Sequence, residues 1–161
     1  MTAGMTELTA LQLANPNPSS WKMWAEVGLG DPDSEETITP PSEQDSLYRP
    51  LLCKKPDIIG YLNEESYALG HVLLSTEVDE AGDLVPTQYL YLVFHFPSKM
   101  MADTRLPGAY IRELAVYING NCELHTGTLL TIINNNRIWW DAKAQFQKEL
   151  ILVIPPVEPV S

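Results

Sequence analysis

The segment at residues 88–96 constrains the fold most, because both of its alternating sets of side chains are apolar or aromatic. The two sets are Leu90, Leu92, Phe94 and Phe96, and Tyr89, Tyr91, Val93 and His95. Successive side chains of a strand point to opposite faces, so a strand with this pattern has to be covered on both sides. The cover can come from the chain's own fold or from another subunit, and the sequence leaves both open.

Other segments are also rich in β-branched and aromatic residues, which indicates further strands. They are residues 58–62, 67–76, 109–118, 127–133 and 148–154. We expect a hairpin loop at residues 77–86, turns at Asn119-Gly120 and at residues 134–136, and an irregular stretch at residues 98–107.

Two short helices are predicted. Residues 6–14 contain Leu8 and Leu11 among good helix formers and end at an Asn-Pro-Asn-Pro break. Ser42 is placed to cap a second helix that reaches Tyr48. The predicted fold class is therefore α+β and mainly β: an antiparallel sheet or β-sandwich with a short N-terminal helix and one additional short helix.

A chain of 161 residues has the size of one ordinary domain. We expect an N-terminal helical arm at residues 1–18, a single β-rich domain at residues 19–155, and an exposed tail at residues 156–161 after Pro155-Pro156. The arm can pack on its own domain or reach a neighbouring subunit, and the pattern does not choose.

The charge balance argues against two classes of partner. The formal net charge is −11 and no cluster of basic residues occurs, so a phosphate backbone would be repelled and no nucleic acid is expected as a partner. No apolar run approaches the ~20 residues of a membrane span, and no signal-peptide pattern is present, so no membrane association is expected. Cys53 and Cys122 lie far apart in the sequence, and we expect two reduced thiols.

We find no catalytic motif and predict that the chain is not an enzyme. No nucleophile stands in a recognised context, and His71, His95 and His125 fall in three different β segments. A histidine in an apolar strand is usually a core or interface residue, so no metal is expected. The acidic residues 31–36 are typical of a solvated loop, and no cofactor is predicted.

The aromatic residues allow two interpretations. Trp21, Trp24, Trp139 and Trp140 stand beside seven tyrosines. They can be core or subunit-interface residues, where Trp and Tyr are enriched, or they can stack on sugar rings.

The order of segments resembles the N-terminal attachment domain of bacteriophage tail fibre (tail-collar fibre) proteins. The resemblance rests on three pieces: Ala-Glu-Val-Gly-Leu-Gly-Asp at residues 25–31, Leu-Tyr-Arg at residues 47–49, and Tyr-Ile-Arg-Glu-Leu-Ala-Val-Tyr at residues 110–117. A closing apolar strand at residues 146–154 occupies the place that the family's last strand would have.

The resemblance implies a structural virion protein of a phage tail or baseplate, one that joins the tail fibre to the tail through protein–protein interfaces. The implied partners are the tail fibre and other tail or baseplate proteins, and the chain would form a homo-oligomer, a trimer or a hexamer. It would be assembled in the host bacterial cytoplasm and end in the virion tail.

The candidate interface residues are Leu8, Leu11, Trp24, Tyr110, Arg112, Glu113, Tyr117, Trp139 and Trp140. Because neighbours along a strand point to opposite faces, one of Arg112 and Glu113 can pair inside the sheet while the other meets a partner. The alternative is an ordinary exposed charge pair that contributes little to stability. The alternative function is a carbohydrate-binding β-sandwich module that recognises a host surface, with Trp139 and Trp140 stacking on the sugar.

Overall fold

The computed structural model describes residues 3–30 and 46–154, without the side chains of Ala3, Asn135 and Asn136. Two antiparallel sheets dominate this part of the chain. The elements are α1 (Ala3–Ala14), a 3₁₀ turn (Pro18–Ser20), β1 (Trp24–Gly28), β2 (Pro50–Lys54), β3 (Ile58–Tyr61), α2 (Glu64–Ala68), β4 (Tyr89–Phe96), α3 (Ser98–Asp103), β5 (Gly108–Ile118), β6 (Thr128–Asp141) and β7 (Phe146–Val153).

The first sheet has the strand order β2-β1-β5-β6, and the second has the order β3-β4-β7. Every neighbouring pair is antiparallel. Side chains from both sheets meet in one core, in which Val27 and Val116 of the first sheet join Leu92 and Phe94 of the second. The predicted mainly β fold with antiparallel sheets and a short N-terminal helix is confirmed.

The strand at residues 88–96 is β4, the middle strand of the second sheet. Its set Leu90, Leu92, Phe94 and Phe96 is fully buried against the first sheet. On the other face Val93 is buried, whereas Tyr89, Tyr91 and His95 are half-buried. The chain itself therefore covers one face completely and the other face in part.

The N-terminal helix packs on its own chain. Leu8 is fully buried in the shared core, and the backbone at Gly4 lies directly against Leu129 and Leu130 of β6. A Cβ at Gly4 would be 2.9 Å from the Cα of Leu130, so glycine permits this close approach. Of the two arrangements that the sequence left open, the structure has the first.

The strand predicted at residues 67–76 is wrong. The Asn63 side chain accepts a hydrogen bond from the backbone N–H of Ser66 (2.9 Å) and starts α2, with Glu64 and Glu65 in its first turn. Only a single bridge between Leu62 and Leu74 follows. The Asn63 cap therefore places Tyr67 and Ala68 in a helix, and residues 69–73 after it form no strand.

Three other predictions of local structure are corrected. Residues 98–103 are not irregular but form α3, which the fully buried Met101 holds against the core. Residues 134–136 do not form a turn, because β6 runs through them. The second helix was predicted from Ser42 to Tyr48: residues 42–45 lie outside the described residues, as does the tail at 156–161, and residues 46–48 are not helical.

The expectation of two reduced thiols is also wrong, since Cys53 and Cys122 form a disulfide with a Cα–Cα distance of 5.9 Å. Cys53 lies on β2 and Cys122 in the connection between β5 and β6. Separation along the sequence hid this proximity, because it arises only once β1 pairs with both β2 and β5.

None of the described helices is long and apolar enough to cross a membrane.

Candidate functional site

A buried carboxylate links the three segments on which the family resemblance rests. Glu113 of β5 is fully buried. Its Oε2 accepts hydrogen bonds from the backbone N–H groups of Gly30 (3.0 Å) and Arg49 (2.9 Å), and its Oε1 accepts one from the backbone N–H of Tyr48 (3.0 Å). We call these four residues the Glu113 clasp. Hydrogen bonds to a charged acceptor are the stronger kind, so the clasp ties the end of β1 to the start of β2.

An irregularity in the sheet brings Glu113 to this position. Ile111 pairs with Ile138 and Glu113 pairs with Asn134, so β6 has extra residues opposite Arg112. Ile111 and Leu114 are both fully buried in the core between the sheets although they are three residues apart. A bulge breaks the alternation of a strand in this way.

Arg112 and Glu113 consequently lie on the same side of the sheet, and the expectation that they point to opposite faces is wrong. Gly30 demonstrates this, because its backbone N–H is bonded to Glu113 and the position of a Cβ on Gly30 would be 2.9 Å from Cβ of Arg112. Both are buried, so they are not an exposed charge pair.

Gly28 makes room for the clasp. It is the β1 partner of Glu113 in the sheet, and a Cβ on it would collide with the Glu113 carboxylate and lie 2.8 Å from the carbonyl oxygen of Arg49. Any side chain here would displace either the carboxylate or the β2 backbone.

Arg49 contributes its side chain as well as its backbone. Its Nε donates to the carbonyl oxygen of Gly30 (2.8 Å), and its Nη2 donates to that of Leu29 (3.0 Å). The backbone N–H of Leu29 in turn donates to the carbonyl of Arg49 (2.9 Å). The guanidinium is therefore held in one orientation by two backbone carbonyl groups.

A groove of about 450 Å³ lies next to the clasp. Its lining consists of Leu29, Arg49, Leu106, Gly108, Ala109, Tyr110, Arg112, Arg137 and Trp139. We call it the arginine groove, because three of the four arginines in the chain line it. Arg105 is the fourth arginine and does not line the groove.

Two half-exposed aromatic residues form one side of the groove. Tyr110 is 47% exposed and Trp139 is 46% exposed, and their rings meet edge to face at 5.0 Å. The guanidinium of Arg137 lies 5.0 Å from the centre of the Tyr110 ring, within the range of a cation–π contact.

Two further contacts hold the ring of Trp139 in place. Its Nε1 donates to the carboxylate of Asp141 (2.7 Å), and this hydrogen bond lowers the pKa of Asp141. Its benzo ring lies against Gly108, where a Cβ would collide with it. Trp139 is thus a rigid, partly exposed residue.

A second cluster, of aromatic and polar residues, lies on the same side of the first sheet, at the opposite end from the arginine groove. Trp24 stacks on Tyr117 at 4.3 Å, and the Glu26 carboxylate lies 3.4 Å from Nδ1 of His125. Burial raises the pKa of Glu26, His125 opposes this effect, and the charge of Glu113 adds to it. Burial likewise raises the pKa of Tyr117.

The predicted interface residues do not share one surface. Leu8, Trp24, Glu113 and Trp140 are almost wholly buried in this chain, and Arg112 is 9% exposed. Leu11 and Tyr117 are half-buried. Only Tyr110 and Trp139 combine large exposure with a common location, the arginine groove.

Arg49, Arg137 and the glycines at 28 and 30 belong to the site but were not among the predicted site residues. One sequence signal could have drawn attention to Arg137: this acidic chain has only four arginines. Within the described ranges no three His, Cys, Asp or Glu side chains are grouped so that they could hold a metal ion. No protein-family model matches this sequence, and a search of curated proteins finds no significant match.

Proposed function

We propose that this chain is a structural protein of a phage tail or baseplate, which joins the tail fibre to the tail through protein–protein interfaces. One observation carries the proposal: the three segments that resemble the tail-fibre attachment domain converge on the Glu113 carboxylate. Residues 25–31, 47–49 and 110–117 are far apart in the sequence, and the Glu113 carboxylate joins all three through hydrogen bonds at the ends of neighbouring strands.

The chemistry of the clasp is consistent with a structural role. The carboxylate of Glu113 is fully buried and accepts three backbone N–H groups, so it has no access to a substrate. A buried charge that is fully hydrogen-bonded holds chain segments in register. The exposed Tyr110, Trp139 and Arg137 beside it are residue types that dominate the energetics of protein interfaces.

The proposal is tested on phage particles from the strain that carries the gene. Mass spectrometry should detect the chain in gradient-purified particles, and gold-labelled antibody should mark the tail where the fibre attaches. Particles with Arg137→Gln or Trp139→Ala should have fewer fibres, whereas Arg105→Gln, a change outside the groove, should not alter the count. Absence of the chain from particles, with the chain present in the lysate, would contradict the proposal.

We also expect the purified chain to form a trimer or a hexamer, as the resemblance implies. Light scattering after size-exclusion chromatography measures the mass directly. A monomer at all concentrations would remove self-assembly from the proposal.

The carbohydrate-binding alternative retains one supporting observation, which is the half-exposed Trp139 at the arginine groove. Trp140 no longer supports it, because that side chain is fully buried. A glycan array with the wild-type chain and with Trp139→Ala tests the alternative. Binding that the substitution abolishes would favour it over the assembly role.

A further inference from the structure

The Cys53–Cys122 disulfide ties the outer strand of the first sheet to the connection between β5 and β6. Cys53 lies on β2, which pairs with β1 alone in the described part of the chain. The Glu113 clasp holds the start of β2 through the backbone N–H of Arg49, and the disulfide holds its other end. Opening the disulfide would therefore release one end of an edge strand and leave the other end in place.

The connection between β5 and β6 keeps its position through hydrogen bonds that do not involve the disulfide. At its start, the backbone N–H of Asn119 donates to the carbonyl oxygen of Trp21 (2.8 Å). At its end, the indole Nε1 of Trp24 donates to the carbonyl oxygen of Thr126 (2.9 Å). Groups that are held side by side react as in an intramolecular reaction. The two thiols would thus remain neighbours after reduction, and the disulfide could close again.

A groove of about 640 Å³ leads from the solvent to this disulfide. Its lining includes Cys122 and the exposed residues Lys22, Lys55, Asn119 and Thr126. We call it the cysteine groove. Its volume is within the range of pockets that hold small molecules. A low-molecular-weight thiol can therefore approach the disulfide while the chain is folded.

We propose that the disulfide is the closed state of a redox latch, which small thiols and their disulfides open and close through the cysteine groove. The chain is a dithiol during assembly in the bacterial cytoplasm and a disulfide in released particles, a part of the inference that rests on the proposed function. Thiols stay reduced in the cytoplasm, whereas disulfides persist outside the cell. The open latch leaves the end of β2 adaptable while the chain meets its partners, and closure fixes it afterwards.

Opening takes two steps of thiol–disulfide exchange. The thiolate of a small thiol attacks one sulfur of the disulfide, forms a mixed disulfide with that cysteine and releases the other cysteine as a thiolate, which takes up a proton. A second small thiolate attacks the small molecule's sulfur in the mixed disulfide, which frees the remaining cysteine and forms the small disulfide. The protein thereby gains two electrons and two protons. Closure is the reverse sequence, with the small disulfide as the oxidant.

Glutathione is the probe for exchange in the folded chain. The oxidised full chain is incubated without denaturant at different ratios of reduced to oxidised glutathione, quenched with acid, alkylated and analysed by intact mass spectrometry. Lys55→Trp, which narrows the cysteine groove, is compared with Lys143→Trp, the same replacement at an exposed position outside it. The near-ultraviolet circular dichroism spectrum and the indole N–H resonance of Trp24 report on the fold.

We expect two alkylated thiols in excess reduced glutathione, none in excess oxidised glutathione, and full reversal between the two. The spectrum and the Trp24 resonance should stay those of a folded chain, because the hydrogen bond from Trp24 to Thr126 remains. Lys55→Trp should slow the exchange severalfold, and Lys143→Trp should not. A disulfide that resists reduced glutathione until urea is added would overturn the inference, as would exchange only with loss of the folded spectrum, or equal rates in both variants.

The state in the cell is tested by adding a membrane-permeant alkylating reagent to a phage-producing culture before lysis, and separately to released particles. Two alkylated thiols are expected before lysis and none in the particles. A disulfide that has already formed before lysis would overturn the latch even if the chain is a tail protein. Exchange in the purified chain together with particles that lack the chain would contradict the proposed function and leave the exchange site standing, so the two failures are distinguishable.

Discussion

The carboxylate of Glu113 occupies the space that a side chain on Gly28 would need. The two residues are partners in the pairing of β1 with β5. An acidic residue can be buried here because the missing Cβ lets its oxygens reach the backbone N–H groups at the ends of two strands.

Replacement of Glu113 with Gln should destabilise the fold. The neutral amide cannot accept three hydrogen bonds as a carboxylate does, and at least one buried N–H loses its partner, which costs about 2–4 kcal/mol in free energy of unfolding. Urea denaturation measures the loss, with the exposed Glu123→Gln as the matched control. If both variants unfold at the same urea concentration, the clasp does not stabilise the fold.

Gly28→Ala should cost about 1–3 kcal/mol, because the added methyl group collides with the clasp. Gly60→Ala is the strand control, since a Cβ there meets only the flexible end of Leu74 at 3.1 Å. The double variant with Glu113→Gln should lose less than the sum of the single losses, because both act on one contact. Strict additivity in the denaturation data would argue against a shared contact.

The helix α1 should stabilise its own chain through Leu8. Leu8→Ala removes a fully buried side chain and should lower the free energy of unfolding by about 2–5 kcal/mol. Leu13→Ala, at a position that is 68% exposed, is the matched control. Urea denaturation of both variants at one protein concentration measures the loss. Equal stability of Leu8→Ala and the wild type would mean that α1 does not stabilise its own chain.

The Cys53–Cys122 disulfide closes a loop of 69 residues, for which chain entropy predicts about 4 kcal/mol of stabilisation. A reducing agent should therefore lower the urea midpoint of the wild type and leave that of the Cys53→Ser/Cys122→Ser variant unchanged. Mass spectrometry after alkylation counts the free thiols. Two alkylated thiols in the folded, unreduced protein would contradict the disulfide.

Glu26 should make the stability depend on pH. Burial raises its pKa in the folded state above the usual value that it has in the unfolded chain. Below the unfolded pKa both states are protonated and Glu26 carries no penalty, whereas stability is lost as the pH rises through the folded pKa and the buried carboxyl ionises.

The stability of Glu26→Gln relative to the wild type should therefore increase from about pH 4 to about pH 7. Urea denaturation across this range measures the difference, and Glu123→Gln should show no such trend. A difference that shrinks as the pH rises would mean that the contact with His125 outweighs desolvation.

Several elements could be predicted because their signals are local. The strands β4, β5 and β7 follow from runs of β-branched and aromatic residues, and α1 ends where Asn15 to Pro18 cannot continue a helix. The helices α2 and α3 could not be located in this way. The start of α2 depends on the Asn63 cap within a segment of β-forming residues, and α3 depends on the burial of Met101.

The same distinction between local and tertiary signals applies to the candidate site. The residue types and the order of the three segments are properties of the sequence by itself, and they determined the mainly β fold and the candidate status of Tyr110, Arg112, Glu113 and Trp139. Only the tertiary structure decided that Glu113 is buried, that Arg112 lies on the same side, and that Cys53 meets Cys122. The physical reason is that a strand alternates with period two until a bulge shifts its register, and the position of a bulge depends on the partner strand, which lies far away along the chain.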